Sequence, residues 1–516
     1  MYTNCIYVNF VSADTPISYE DAVKSEDLLD WKQAMDKEMT CLMKNKTWKL
    51  VNRPKDRKVL DVKWIYTTKA DNRKKARLVV RGFQQEEGLE NVYSPVARMQ
   101  TLKLLLAHCC QFELKILQMD VEAAFLNGRL KSEIYVTQPR GYEDGTDKVC
   151  RLDKALYGLR ESPRAWYECL DKYLQDLGFK KSTSDYCLYV LGETNDVIYL
   201  IIFVDDLLIC GKNEGKLIDI KGKLSNKFEM KDLGEVRTYL GININHNRKK
   251  KEITLDQREY IKSLVRKYGI IDSKCYHTPM EQNLKLEPAQ SEKNDIKFRN
   301  LIGALLYISI GTRPDISYSV NYLSRFQNYC DETHFKYALR ILKYLYFTRD
   351  LKLTYQRNTN KEMIDCYVDA DWAGDAMDRK STTGYVIRMY GNVVYWKTRK
   401  QGSITKSSTH AEYVALSESV SEIKVIENLL KDFQVNVARP INVYEDNSGA
   451  VAIAKFGNFT KNSKHIEVHY HFVHECVEEG MINVIKIESE NNIADILTKS
   501  LGRINFEKFR TMLKLL

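Results

Sequence analysis

Residues 197–210, VIYLIIFVDDLLIC, set two adjacent acids inside an otherwise uncharged, largely apolar run. A run of this length falls well short of the ~20 residues that span a membrane. It suits two buried strands, and Asp205 and Asp206 mark the place where they turn. Ionised carboxylates among buried strands cost several kcal/mol unless something compensates them. A β-hairpin brings both to the strand ends, where a divalent cation can offset their repulsion. A plain Asp-Asp turn is the alternative that the dipeptide alone leaves open.

Asp120 closes another apolar segment, LKILQMD, and is followed by VEAAFLNG. Singly it reads equally well as a strand-end or helix-capping residue. With Asp205 and Asp206 it gives one acid from a strand and two from a hairpin, a set that suits two Mg²⁺ ions. Mg²⁺ takes oxygen ligands, keeps waters and needs neither His nor Cys. Two ions held this way activate an attacking 3′-hydroxyl and stabilise a leaving pyrophosphate.

The 516 residues carry a net charge of +10, which is a mild signal for a polyanionic partner. The charge is not spread evenly. Residues 1–40 hold 8 acidic and 3 basic side chains, whereas residues 41–82 hold 14 basic and 3 acidic. The basic block is interleaved with strand-like segments (KTWKLV, VKWIYTTK, ARLVVRGF), a pattern that fits a folded surface tracking phosphates. Only 9 Pro and 24 Gly exclude a collagen-like or disordered chain. The 12 Cys are scattered without a CxxC pair, as in chains from reducing compartments, and there is no signal-peptide pattern at the N-terminus. Helices are expected over 28–44, 101–110, 161–178 and most of 298–350, with a strand over 112–120. Residues 286–297 are the most linker-like.

Five motifs in order, KARLVVRGF, QMDVEAAFLNG, ALYGLRESPRAWYECLD, FVDDLLICG and KFEMKDLGEVRTYLGI, resemble the reverse transcriptase of copia-type LTR retrotransposon Pol polyproteins. The resemblance implies that Asp120, Asp205 and Asp206 hold the two metals. It implies that Phe125 is an aromatic gate against a ribose 2′-hydroxyl, and that Lys75 and Arg77 contact the triphosphate. It places Glu161, where many relatives carry Gln, in the segment lining the nucleotide pocket, Lys231 near the pyrophosphate, and 239–241 in the primer-gripping turn.

Beyond residue 363 four further acids stand out. Asp369 lies on a strand, Glu412 in the first turn of a helix, Asp446 just after a later strand and Asp495 near the start of a last helix. Each has a plain alternative. Thr409 and Glu412 have the spacing of a capping box, Asp495 stands three residues after Asn492 and can also serve a helix N-terminus, Asp446 suits a turn, and Asp371 competes with Asp369 for the strand end. Collectively they resemble the RNase H domain of the same elements, which implies that Asp369, Glu412, Asp446 and Asp495 bind two Mg²⁺ ions and cleave the RNA strand of a hybrid. The run HIEVHYHFVHEC, with His465, His469, His471, His474 and Cys476, invites a zinc reading; the spacing does not make a Cys₂His₂ site, and the run resembles a helix of the same family, which implies a helix near the hybrid backbone.

The resemblance implies an α+β and α/β multidomain chain: a right-hand polymerase with palm, fingers and thumb, a helical connection, and a C-terminal RNase H-like α/β domain. Residues 1–43 are expected to form an N-terminal lead-in helix region, 44–285 the reverse transcriptase, 286–362 the connection and 363–516 the RNase H-like domain. The expected cofactor is Mg²⁺, two ions per site, with Mn²⁺ as a substitute. Expected partners are an RNA template, a DNA primer, an RNA–DNA hybrid and dNTPs, with self-association or Gag and integrase parts of the same element as further candidates and no membrane partner. The expected localisation is cytoplasmic and particle-associated, with the nucleus as the alternative. No protease triad, zinc knuckle or integrase finger is found, so a partial Pol frame is expected. An inactive or domesticated nucleic-acid-binding relic is the rival reading.

Overall fold

The computed structural model describes residues 15–68, 72–85, 92–193, 196–270, 275–292, 295–457 and 467–516. Near the N-terminus, apolar residues three to four apart make helix Leu28–Lys44 amphipathic, and it buries Trp31, Met35 and Leu42. That face packs on a two-stranded hairpin, Val62–Thr68 with Lys74–Val80, paired from Val62↔Val80 to Thr68↔Lys74. Strand alternation sends Ala76, Leu78 and Val80 into the same core as Trp31 and Met35. Lys75 and Arg77 therefore share the opposite, part-exposed face. Lys74 is tied back to the helix by an ion pair with Asp27 at 2.6 Å, and its ammonium lies 4.9 Å from the Trp31 ring.

The apolar run at 197–210 forms a hairpin, Ile198–Phe203 with Asp206–Gly211, at the centre of a six-stranded sheet. Its parity divides it between two cores. Tyr199, Ile201, Leu208 and Cys210 face one, while Ile198, Leu200, Leu207 and Ile209 face the other. Both faces are covered, so the strands read as continuous apolar runs rather than alternating ones. Helix Ser162–Asp176, with Pro163 in its first turn, packs Trp166, Leu170 and Leu174 onto the second face. Helix Met99–Phe112 is buried from Gln100 to Cys110 and lies on the first. It runs past the expected strand start at 112. Glu113 closes it in the left-handed conformation (φ 56°), and the Asp120 strand spans Lys115–Val121.

An all-round buried helix needs cover on its far side as well. Here it comes from strands Glu252–Asp256 and Leu353–Gln356 and from Asn392–Lys400 of a five-stranded sheet, with helices Ile296–Gly311, Ser317–Ser324 and Glu332–Phe347 in the same continuous core. In that sheet Asn392–Lys400, Thr382–Met389 and Ile364–Asp371 are antiparallel, and Ile441–Glu445 and Ile482–Lys486 continue it in parallel. Polar contacts run along the seam. Lys103 Nζ donates to Ile310 O at 2.6 Å and lies 3.3 Å from the Trp396 ring centre, and Gln100 Nε2 donates to Glu422 Oε1 at 3.0 Å. The stretch expected to be a free linker is instead pinned along these helices: Leu286 N donates to Tyr322 OH at 2.8 Å and Ala289 N to Tyr329 O at 2.9 Å. The architecture is mixed α/β and multidomain. Among the described residues no helix is long and apolar enough to cross a membrane.

A buried ion pair anchors the helical layer. Arg313 grips both oxygens of Asp315 at 2.9 and 2.7 Å, and its other nitrogen donates to Thr348 O at 3.0 Å. Both residues are almost fully buried, at 2% and 1% exposure. Removing one partner strands a buried charge, so Asp315→Ala is expected to cost about 3–5 kcal/mol. The double variant Arg313→Met/Asp315→Leu, which removes both charges, is expected to lose less. Urea unfolding of the three proteins measures the difference; an Asp315→Ala cost no larger than the double variant's contradicts the ion-pair account.

Two candidate metal centres

In the six-stranded sheet Asp206 stands directly opposite Asp120, and Lys231 flanks Asp120 on the other side. Between the strands of the central hairpin, Val204 and Asp205 form a two-residue turn. Such turns need a positive φ, and here the β-branched Val204 supplies it at 56°, a strained conformation. Two bonds hold the turn down. Trp166 Nε1 donates to Val204 O at 2.6 Å, and Val121 N donates to Asp205 O at 2.8 Å. Three carboxylates thus meet at one sheet end because one turn is bolted to the end of the neighbouring strand.

The electrostatics reflect that crowding. Burial, then the charges of Asp205 and Asp120, push the Asp206 carboxyl up to about 7, against a hydrogen bond from Gln118 Nε2 at 3.3 Å. Burial and then Asp205 raise Asp120, while Lys75 and Arg77 pull it back down. The basic strand therefore acts on this end of the sheet. Phe125 follows in a short 3₁₀ turn, Ala124–Asn127, with its ring 4.5 Å from that of Tyr157, and the Arg77 guanidinium lies 4.3 Å from the centre of the same Tyr157 ring. Glu161 precedes helix Ser162–Asp176 without capping it, and its carboxylate accepts from Ser132 Oγ at 2.5 Å. Lys231 is exposed. In the turn at 239–241 Tyr239 is buried, Leu240 and Gly241 have φ of 52° and 70°, and Tyr307 OH donates to Leu240 O.

A second set forms in the five-stranded sheet. Asp369 on Ile364–Asp371, Glu412 on helix Ser408–Asp432 and Asp446 just after Ile441–Glu445 bring carboxylate oxygens within 4.8 Å of one another. Among the described residues this is the one acid, His or Cys group that tight, and Asp120, Asp205 and Asp206 do not close to that spacing. Burial, followed by Asp495, pushes Asp369 up to about 7 against the pull of Lys499. Burial and then Glu445 hold Glu412 well above the usual carboxylate range. Glu412 Oε2 is buried with no hydrogen-bond partner. An all-carboxylate cluster with an orphaned buried oxygen fits a hard divalent cation.

Several local expectations are corrected here. The helix N-cap is Ser407, whose side chain accepts from His410 N at 3.1 Å, so Thr409 and Glu412 form no capping box. Glu412 lies past the first turn and is left to face the other acids. Asp495 does not start the last α-helix, Arg503–Met512; it sits in a 3₁₀ segment, Ile493–Leu497, capped by Asn492. Asn492 also donates to Val368 O at 2.8 Å, which brings the segment to the sheet, and Asp495 pairs with Lys499 at 2.9 Å. The segment fits because Gly384, opposite Asp369, has no side chain: a Cβ there would lie 2.6 Å from Thr498 Cγ2. Thr498 in turn donates to Asp369. Asp371 ends the same strand outside the tight group. Sequence reasoning missed Glu445, which is fully buried beside Glu412 and accepts from Asn447 N at 2.9 Å. Its one signal is strand alternation, which turns it inward just before Asp446. In helix Glu467–Glu478, His469 meets Ser417 Oγ at 2.9 Å and His474 pairs with Glu478 at 3.2 Å, neither in a metal-like group; His465 lies outside the described residues.

Raised carboxyl pKa values have a definite stability signature. Between about pH 4 and 7 the native protein keeps protons on Asp206 and Asp369 that the unfolded chain has released, so native stability falls as pH rises through that window. Thermal melts in EDTA are expected to show a midpoint that declines from pH 5 to pH 8. The variant Asp206→Asn/Asp369→Asn is expected to decline less, and Mg²⁺ to recover the wild-type midpoint at pH 8. A wild-type midpoint that rises over this range contradicts the account.

Residues 45–282 match the family model described as reverse transcriptase (RNA-dependent DNA polymerase). The chain is 34% identical over 524 residues to the retrovirus-related Pol polyprotein from transposon TNT 1-94 of Nicotiana tabacum, covering 98% of this chain and 39% of that protein. It is 36% identical to the retrovirus-related Pol polyprotein from transposon RE1 of Arabidopsis thaliana, over 97% of this chain and 35% of that one. The putative transposon Ty5-1 protein of Saccharomyces cerevisiae is matched over its full length, 100%, at 36% identity across 59% of this chain. The chain thus spans under two fifths of the length of the plant relatives, 39% and 35%.

Proposed function

Because this chain belongs to the family of copia-type retrotransposon Pol polyproteins with a reverse transcriptase, we propose that it copies RNA into DNA at Asp120, Asp205 and Asp206 and degrades the copied RNA at Asp369, Glu412, Asp446 and Asp495. In this reading residues 44–285 are the palm, fingers and thumb, 286–362 the connection and 363–516 a ribonuclease H unit. The observation that carries it is the pairing of Asp206 against Asp120 with Asp205 in the fastened turn beside them. The Asp369, Glu412 and Asp446 cluster supports the second activity.

Divalent cations, Mg²⁺ foremost, would be held by these two carboxylate sets and would supply activation of the attacking oxygen and neutralisation of the leaving group. The protein's own groups do the rest. Lys75 and Arg77 bind the triphosphate as point charge and fork, respectively. Phe125 closes the space that a ribose 2′-hydroxyl needs, which selects dNTPs. Lys231 stands beside Asp120 to meet the pyrophosphate. At the second site Lys499 balances the charge of Asp369 and Asp495, and the Thr498 hydroxyl holds Asp369 in place.

Primer extension on poly(rA)/oligo(dT) and cleavage of a labelled RNA–DNA hybrid test both halves in one protein. Asp205→Asn is expected to abolish extension and leave hybrid cleavage largely intact; Asp369→Asn is expected to do the reverse. Equal loss of both activities in either variant contradicts two separate sites. Hybrid binding without extension by the unaltered protein points to a non-catalytic relic.

A further inference from the structure

The side chain of Tyr157 links two groups that lie far apart in sequence. The Arg77 guanidinium sits over its ring at 4.3 Å from the centroid, and the Phe125 ring packs against it at 4.5 Å with a 59° tilt. Its backbone is tied to the strand that carries Arg77, because Val80 N donates to Tyr157 O at 2.8 Å. The next residue fixes this approach. Gly158 has φ +95°, and a Cβ there would lie 2.1 Å from Val80 O, so the Tyr157 segment lies flat against that strand only because residue 158 is glycine. Phe125 reaches the same ring from another segment. Its 3₁₀ turn, Ala124–Asn127, follows the strand of Asp120, and the turn is closed by Gly128 N donating to Phe125 O at 2.9 Å.

The geometry points to Tyr157 as a positioning residue that couples the cation on the triphosphate side to the aromatic gate on the sugar side. The inference rests on the polymerase reading, since it assigns Tyr157 a part in that site's choice of sugar. A cation over a ring face and a tilted ring pair are both directional contacts. Tyr157 therefore holds both the Phe125 ring and the Arg77 guanidinium. Loosening it lets the gate ring swing away from the 2′-hydroxyl, and the cost falls on discrimination rather than on turnover with dNTPs.

The test compares single-nucleotide incorporation of dNTP and rNTP by the full chain on an RNA template, reading kcat and KM separately. Tyr157→Phe keeps both ring contacts and is expected to keep discrimination within about twofold. Tyr157→Leu and Tyr157→Met fill similar space without a π face; each is expected to reduce discrimination about tenfold, chiefly by improving rNTP use, with dNTP kcat little changed. On a Phe125→Val background the Tyr157→Leu change is expected to add no further loss of discrimination, because the ring it positions is gone, and the loosened Arg77 then shows only as a higher KM for both nucleotides. Circular dichroism melts establish that the variants are folded, and the Met variant serves if the Leu variant is not. Unchanged discrimination in a folded, extending Leu or Met variant overturns the inference, as does an independent loss on the Phe125→Val background. If the unaltered chain extends no primer, the polymerase reading itself fails and the inference falls with it.

Discussion

Carboxylates that repel one another in dry surroundings are the constraint around which this molecule is built. Asp206 and Asp369, on different sheets, are both pushed up to about 7 by burial first and neighbouring acids second. No single favourable contact in the metal-free protein removes that cost. It is borne by the fold, which holds Asp206 at the start of its strand and Asp369 near the end of its own.

Each sheet carries the load by a different device. In the first, a two-residue turn with Val204 in a strained conformation is bolted down by the Trp166 indole and by the end of the Asp120 strand. In the second, Gly384 leaves a gap opposite Asp369, and the Ile493–Leu497 segment with Thr498 fills it. Between them, helix Met99–Phe112 is buried from Gln100 to Cys110 and belongs to the same core as one face of the six-stranded sheet and the five-stranded sheet. One continuous core thus runs between the two sheets through this helix and the helices after residue 296.

The central hairpin was legible in the residues themselves, since apolar length, parity and a paired acid leave few other folds. After residue 363 the strand of Asp369, the helix of Glu412 and the strand before Asp446 were legible as well. What escaped depends on contacts between distant segments. Nothing near Ser407 in sequence ranks it above Thr409 as the helix cap, and only the cap decides whether Glu412 is used up or left free. Asp495 was assigned to the wrong element because the 3₁₀ segment is held by Val368 O and by the space at Gly384, more than a hundred residues away. Residues 286–292 look polar and linker-like, yet Tyr322 and Tyr329 supply partners that composition does not reveal. Glu445 went unnoticed because acids are seldom fully buried, and its neighbour Asp446 explained the motif without it.

The central claim is that two separate carboxylate sets wait for divalent cations. Titration of Mn²⁺ into the full chain at pH 7.5, followed by electron paramagnetic resonance of the free ion, measures this without recourse to activity. The account predicts saturable binding in two classes, one lost in Asp205→Asn/Asp206→Asn and the other in Asp369→Asn. Unsaturable, weak binding that neither variant changes would contradict it.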